Sequence, residues 1–168
     1  MATRTAPAKA TQDQNDTRRA DRVVTSNRRA FYEYHVAETV EVGIVLSGTE
    51  IKSIREGKAT ISEAYARIDG DELWLIGAHI APYRHGSHAN HDPDRTRKLL
   101  AHKAQVRDLR AQIEQKGMTL VPLRLTLRRG RAKIDLGVAR GKKLYDKRAS
   151  EAERESRRDV ERALRERA

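Results

Sequence analysis

Three histidines at three-residue spacing, His85, His88 and His91, with Asp92 beside the last, are the first residues whose types could do chemistry. Imidazole nitrogens and a carboxylate are the ligands of a hydrolytic zinc site, where a bound water becomes the nucleophile. Gly86, Ser87, Ala89 and Asn90 separate them with no apolar period to fix the backbone, so the rings are not expected to converge. A second set is cationic. Arg95, Arg97 and Lys98 crowd the stretch after Asp92-Pro93, and Lys103, Arg107 and Arg110 follow. Read as the first turn of a helix, those like charges oppose the macrodipole at roughly a few tenths of a kcal/mol each, an arrangement that phosphate binding would select and local stability would not. Tyr145 stands among Lys143, Asp146, Lys147 and Arg148. A lone aromatic among cations can stack on a base while its neighbours hold phosphates.

Other catalytic arrangements are missing. No phosphate-cradling glycine loop, nucleophile elbow or zinc-protease helix motif occurs. Without cysteine there is no thiolate site, disulfide scaffold or cysteine nucleophile, which fits a reducing compartment. Neither an enzyme nor a cofactor is expected. The 35 Lys and Arg against 24 Asp and Glu, a formal net charge of +11, point to a polyanionic partner. A membrane is not expected, because no apolar run approaches the ~20 residues of a spanning helix and no secretory signal is evident. Asn15-Asp16-Thr17 is then a chance glycosylation match.

Residues 1–25 lack apolar periodicity and read as a disordered arm. Residues 26–140 have the texture of one domain. Tyr32 to Leu46 reads as a strand pair or one long strand bent near Gly43, and Thr49 can cap a short helix that stops at Gly57. Asp69-Gly70 turns a hairpin, and Arg129-Gly130 turns a second, with Val121, Leu123, Leu125 and Leu127 on a core face and Arg124, Thr126 and Arg128 opposite. Trp74, at the centre of an apolar strand, is expected in the core. Asp92-Pro93 starts the one long helix, through Leu99, Val106, Leu109 and Ile113 to Gly117. Mainly β structure with peripheral helices predicts a small, OB-like antiparallel β-barrel. Residues 141–168 hold Leu144, Val160 and Leu164 as their only aliphatic side chains larger than alanine. Such a basic tail should be disordered until a partner orders it.

Several strings then fit one family in the correct order: Asn27-Arg28-Arg29-Ala30, Gly48-Thr49-Glu50-Ile51-Lys52-Ser53, Arg95-Thr96-Arg97-Lys98-Leu99-Leu100 after Asp92-Pro93, and Gly141-Lys142-Lys143 with Asp146-Lys147-Arg148. From about Asn27 to Arg148 the chain resembles the SsrA-binding, small protein B (SmpB) family. The resemblance implies a cytoplasmic, non-catalytic OB-fold protein that binds the tRNA-like domain of transfer-messenger RNA (tmRNA) and delivers it to stalled ribosomes for trans-translation, tagging and ribosome rescue. It implies a monomer filling the place of a missing anticodon arm, its tail helical in the message channel of the small subunit. Asn27, Glu41 and Leu100 match positions implicated in RNA contact, and Lys98 lies in the same basic string as Arg95 and Arg97. Gly141, Lys142, Lys143, Asp146, Lys147 and Arg148 match the tail motif, with Tyr145 at a position proposed to stack in the decoding centre. Val42 and Ser156 depart from the Ala and Trp that some members carry there. Glu41 would repel phosphate, so any RNA contact it makes should accept a hydrogen bond from a base or hydroxyl. The alternative to this reading is a general OB-fold ribosomal or single-strand-binding protein, which would have no use for a separate tail motif.

Overall fold

The computed structural model describes residues 21–166; the expected arm up to residue 20 and residues 167–168 lie outside them. The described residues form nine strands and four α-helices. They run β1 (Arg22–Ser26), α1 (Arg28–Glu33), β2 (Tyr34–Ile44), α2 (Gly48–Arg55), β3 (Ala59–Thr60), β4 (Tyr65–Asp69), β5 (Glu72–Ile76), β6 (His79–Ile80), β7 (Arg97–Leu100), α3 (Lys103–Lys116), β8 (Thr119–Arg128), β9 (Arg131–Gly141) and α4 (Leu144–Glu166).

Every strand pair is antiparallel. Pairing passes from β8 to β4, β5, β7, β2 and β9, and β9 pairs back to β8, so the ladder is a closed circuit with β1 added along β8. Closure leaves the circuit without a free edge and turns one face of each strand inward. Val42, Leu73, Leu75, Leu99, Leu125, Ile134, Leu136 and Val138 meet there, with Ile54 of α2 and Leu109 of α3 packed on them.

Both hairpins form as expected, turning after Asp69 and after Arg128. The apolar face of β8 differs from the simple alternation. A register shift between Pro122 and Arg124 divides the strand. Leu125 and Leu127 face the main core, whereas Val121 and Leu123 pack with Ala30 of α1 in a second cluster. A bulge adds one residue to one strand and so moves the side chains beyond it to the opposite face.

Four boundaries are corrected. Arg22–Ser26 is not part of an arm but pairs with β8, its Val-Val-Thr run too short to show a period. Tyr32 and Glu33 close helix α1 rather than open a strand. Ser47, not Thr49, caps α2 in a reciprocal box with Glu50. The long helix begins at Lys103, because Arg97–Leu100 are claimed by β2 and β5 as a strand between them; it stops at Gly117, which takes the left-handed conformation at φ 61°.

Candidate nucleic-acid interface

The strand at Arg97–Leu100 sorts its residues by face. Leu99 and Arg97 point inward, Lys98 and Leu100 outward. Arg97 is fully buried. It donates to Glu50 Oε1 at 2.8 Å, to the carbonyl of Ala78 at 2.6 Å and to those of Arg95 and Pro93 at 2.9 Å. Arg95 donates to both carboxylate oxygens of Glu50, at 2.8 and 2.6 Å. Burial pushes the Glu50 carboxyl up, but hydrogen bonds from Arg95, the Ser47 N–H and Arg97 together outweigh it and hold the pKa at about 2. The expectation that Arg95 and Arg97 are free cations at a helix start is therefore corrected. Their charges answer a buried carboxylate that locks α2 to the loop before β7, and Arg97 has no surface to offer a phosphate.

Outward residues of neighbouring strands form a patch. Arg67 on β4 lies opposite Trp74 on β5, which lies opposite Lys98 on β7. Trp74 is half-buried on this outer face, not in the core, and the Lys98 ammonium sits 6.0 Å from its ring centroid while pairing with Glu72. Leu73 and Leu75 are the core residues of that strand, so the indole must alternate outward. Leu100 is 53 % exposed and lies opposite Gly43, where a Cβ would approach the Leu100 Cβ to 3.2 Å; glycine lets the leucine lie across β2. Two residues along β2, Glu41 points the same way and pairs with Arg128 at 2.8 Å. The structure thus brings together Glu41, Lys98 and Leu100.

Asn27 is elsewhere and buried. Its side-chain oxygen accepts from the Ala30 N–H at 3.0 Å, capping α1, and its amide donates to the carbonyls of Ile61 and Pro122 at 3.4 and 3.1 Å. It joins three segments and is not on the surface.

The tail leaves from the far end of β9. Leu144–Glu166 is a helix with no buried residue, in place of the unstructured tail the composition predicts. Its Ala, Arg and Glu content favours helix without burial. Its first turns lean on α1 and the start of β2: Tyr32 of α1 donates to Glu151 at 2.7 Å, Lys147 lies 5.9 Å from the Tyr32 ring and His35 of β2 stands 3.6 Å from Asp146, while Lys142, ahead of the helix, donates to the Phe31 carbonyl of α1 at 3.2 Å and to Ser150 at 3.0 Å. The Asp146 carboxylate also accepts from the Lys143 N–H at 3.1 Å, closing the helix start. Tyr145 is 81 % exposed, and Arg148 is exposed beside it.

The histidines do not assemble. The two ring nitrogens of His91 contact the Thr49 hydroxyl and the Ile80 carbonyl, both at 2.9 Å, and among the described residues no group of three His, Asp or Glu could hold a metal ion. No helix among them is long and apolar enough to cross a membrane.

A mainly β, strongly basic protein with a polar outer patch and a helical tail that buries no residue is the class this arrangement defines. Residues 24–166 match the family model for SmpB protein. An SsrA-binding protein of Roseiflexus sp. (strain RS-1) is 54 % identical over 148 residues, covering 88 % of this chain and 94 % of the relative. One from Desulfitobacterium hafniense (strain DSM 10664 / DCB-2) is 49 % identical over 144 residues, covering 86 % and 92 %. A chain of the solved structure "tmRNA-SmpB: a journey to the center of the bacterial ribosome" superposes with a TM-score of 0.61 at 52 % identity, covering 73 % of this chain and 85 % of that one. The chain belongs to the SmpB family.

Proposed function

We propose that the protein is a cytoplasmic, non-enzymatic RNA-binding factor that takes the tRNA-like domain of tmRNA (SsrA) and delivers it to stalled ribosomes for trans-translation, tagging and rescue. The observation that carries this is the family match across residues 24–166, which includes both the sheet and the tail. Relatives named SsrA-binding proteins and a tmRNA-SmpB neighbour on the bacterial ribosome support the choice of RNA and of destination. The closed circuit of pairings supports reading the domain as an OB-like barrel, a fold whose outer strands receive nucleic acid.

Glu41, Lys98 and Leu100 contact the folded RNA, with Trp74 beside them. Such an RNA is read through loops, exposed bases and 2′-hydroxyls, which suits a patch mixing one aromatic, one aliphatic and few charges. Asn27 acts from beneath by holding α1, and Arg95 shapes the loop. Gly141, Lys142, Lys143, Tyr145, Asp146, Lys147 and Arg148 serve the decoding centre, with the rest of the tail helix in the message channel. No cofactor or second copy is needed.

The test separates binding from delivery. A chain ending at Lys143 keeps the complete β9 ladder and loses only the helix. Its affinity for the tRNA-like domain should stay within about threefold of the full chain, since few phosphate contacts are removed, while tagging on stalled ribosomes disappears. Loss of both together, or retention of tagging, would contradict the division.

A further inference from the structure

The turn joining β8 to β9 holds cations where local stability disfavours them. Arg129 has φ 47° and Gly130 has φ 78°, both left-handed. This is the primed turn of a two-residue hairpin, whose first position favours Asn, Asp or Gly; a long side chain there carries a backbone cost. Arg128 and Arg131 are also directly opposed across the strands, where like charges repel. Arg129 and Arg131 are exposed, and Lys133 is half-buried. Among the described residues none of these three forms an ion pair, whereas Arg128 is held by Glu41 at 2.8 Å and Asp21 at 3.6 Å. Together with Asp21 they border a surface concavity of about 440 Å³.

Register connects this turn to the outer patch. Lys133 lies opposite Gly43, which lies opposite Leu100. The intervening position has no side chain, so Lys133 and Leu100 face one surface two strand spacings, about 10 Å, apart. The turn stands at the opposite end of β9 from the tail, separated by an eleven-residue strand of roughly 33 Å.

We infer that the β8–β9 turn is a phosphate-binding clamp: Arg129, Arg131 and Lys133 grip the backbone of an RNA helix whose neighbouring loop lies on the Glu41, Lys98 and Leu100 patch. Arg128 neutralises Glu41, so the carboxylate can accept from a hydroxyl or base without repelling the adjacent phosphates. The inference rests on the RNA-binding reading above. Both tmRNA and ribosomal RNA present such a backbone, and the experiment tells them apart.

Arg129→Gly is the informative substitution, because glycine relieves the left-handed strain and cannot fail for want of stability. Binding of the full-length variant is titrated from 0.05 to 0.3 M salt against the tRNA-like domain, an equal-length unstructured RNA and isolated small ribosomal subunits. Tm should rise by roughly 2–5 °C. For one structured partner, affinity at 0.15 M salt should fall about fivefold, and the slope of log affinity against log salt should lose about 0.9. Arg131→Ala with Lys133→Ala should lower that same affinity about 25-fold. The partner that responds is the source of the phosphates. A higher Tm with affinity and salt slope unchanged for both structured partners would overturn the clamp. If the wild-type chain shows no preference for the tRNA-like domain over the unstructured RNA, the functional reading itself fails; if it shows one and the variants bind normally, only the clamp fails.

Discussion

Glu50 is a fully buried carboxylate whose two oxygens are shared by two guanidinium groups. Removing its charge leaves Arg97 buried without a counter-ion, so Glu50→Gln should destabilise the fold by about 3–5 kcal/mol in urea unfolding. A pH profile tests the same network. The folded pKa of about 2 lies below the ordinary glutamate value of 4.5. The carboxylate's contribution is therefore complete above pH 4.5 and lost as pH falls toward 2, about 3 kcal/mol in all. The wild-type chain should lose stability across that window, and Glu50→Gln should show a shallower decline. Asn27→Ala removes a helix cap and two buried hydrogen bonds, for a loss of about 2–3 kcal/mol. Any weakening of RNA binding by this variant should vanish at temperatures where it is fully folded. A persistent binding defect in the folded variant would place Asn27 at the RNA after all.

At the scale of elements, what the sequence displayed depended on how many neighbours each segment answers to. Hairpins β4–β5 and β8–β9 were legible because an Asp-Gly or Arg-Gly turn between alternating runs is a local signal. Arg97–Leu100 was not, because its strand identity comes from partners fifty or more residues upstream on β2 and some twenty-five upstream on β5. The misplaced helix start then made Arg95 and Arg97 look like free cations. A signal was present in the Gly48-Thr49-Glu50 string, since a lone acid beside apolar helix positions needs a buried partner. Trp74 was drawn inward by hydrophobicity alone, although Leu73 and Leu75 already fill the inner face. The tail helix is held to α1 by the contacts of Glu151 and Lys147 with Tyr32 and has no buried residue. Ending the chain at Lys143 should leave Tm within about 2 °C, because no apolar area is lost from the core. A larger fall in a thermal melt would show that α4 supports the sheet.

On the scale of the whole molecule, the closed circuit of strands leaves the cationic turn and the tail at opposite ends of β9. Strand β9 runs from the cationic turn to the tail, so under the proposed function one element links the RNA contact to the ribosome contact. Charge patterning follows that layout, with an outer patch of mixed character near Leu100 and, beyond Lys143, a charged helix in which no residue is buried. Family membership was legible from ordered strings alone, yet the positions those strings flagged divide in the structure. Glu41, Lys98 and Leu100 share a surface, while Asn27 and Arg97 hold the fold. The measurement that tests the account most directly is competition binding at about 0.15 M salt, a condition that must be fixed because phosphate contacts make affinity fall steeply with ionic strength. The tRNA-like domain of tmRNA is set against an equal-length unstructured RNA, for the full chain and for the chain ending at Lys143. A strong preference for the structured RNA, retained by the shortened chain, is expected. Equal affinity for both RNAs, lost with the tail, would contradict it and leave a general nucleic-acid coater.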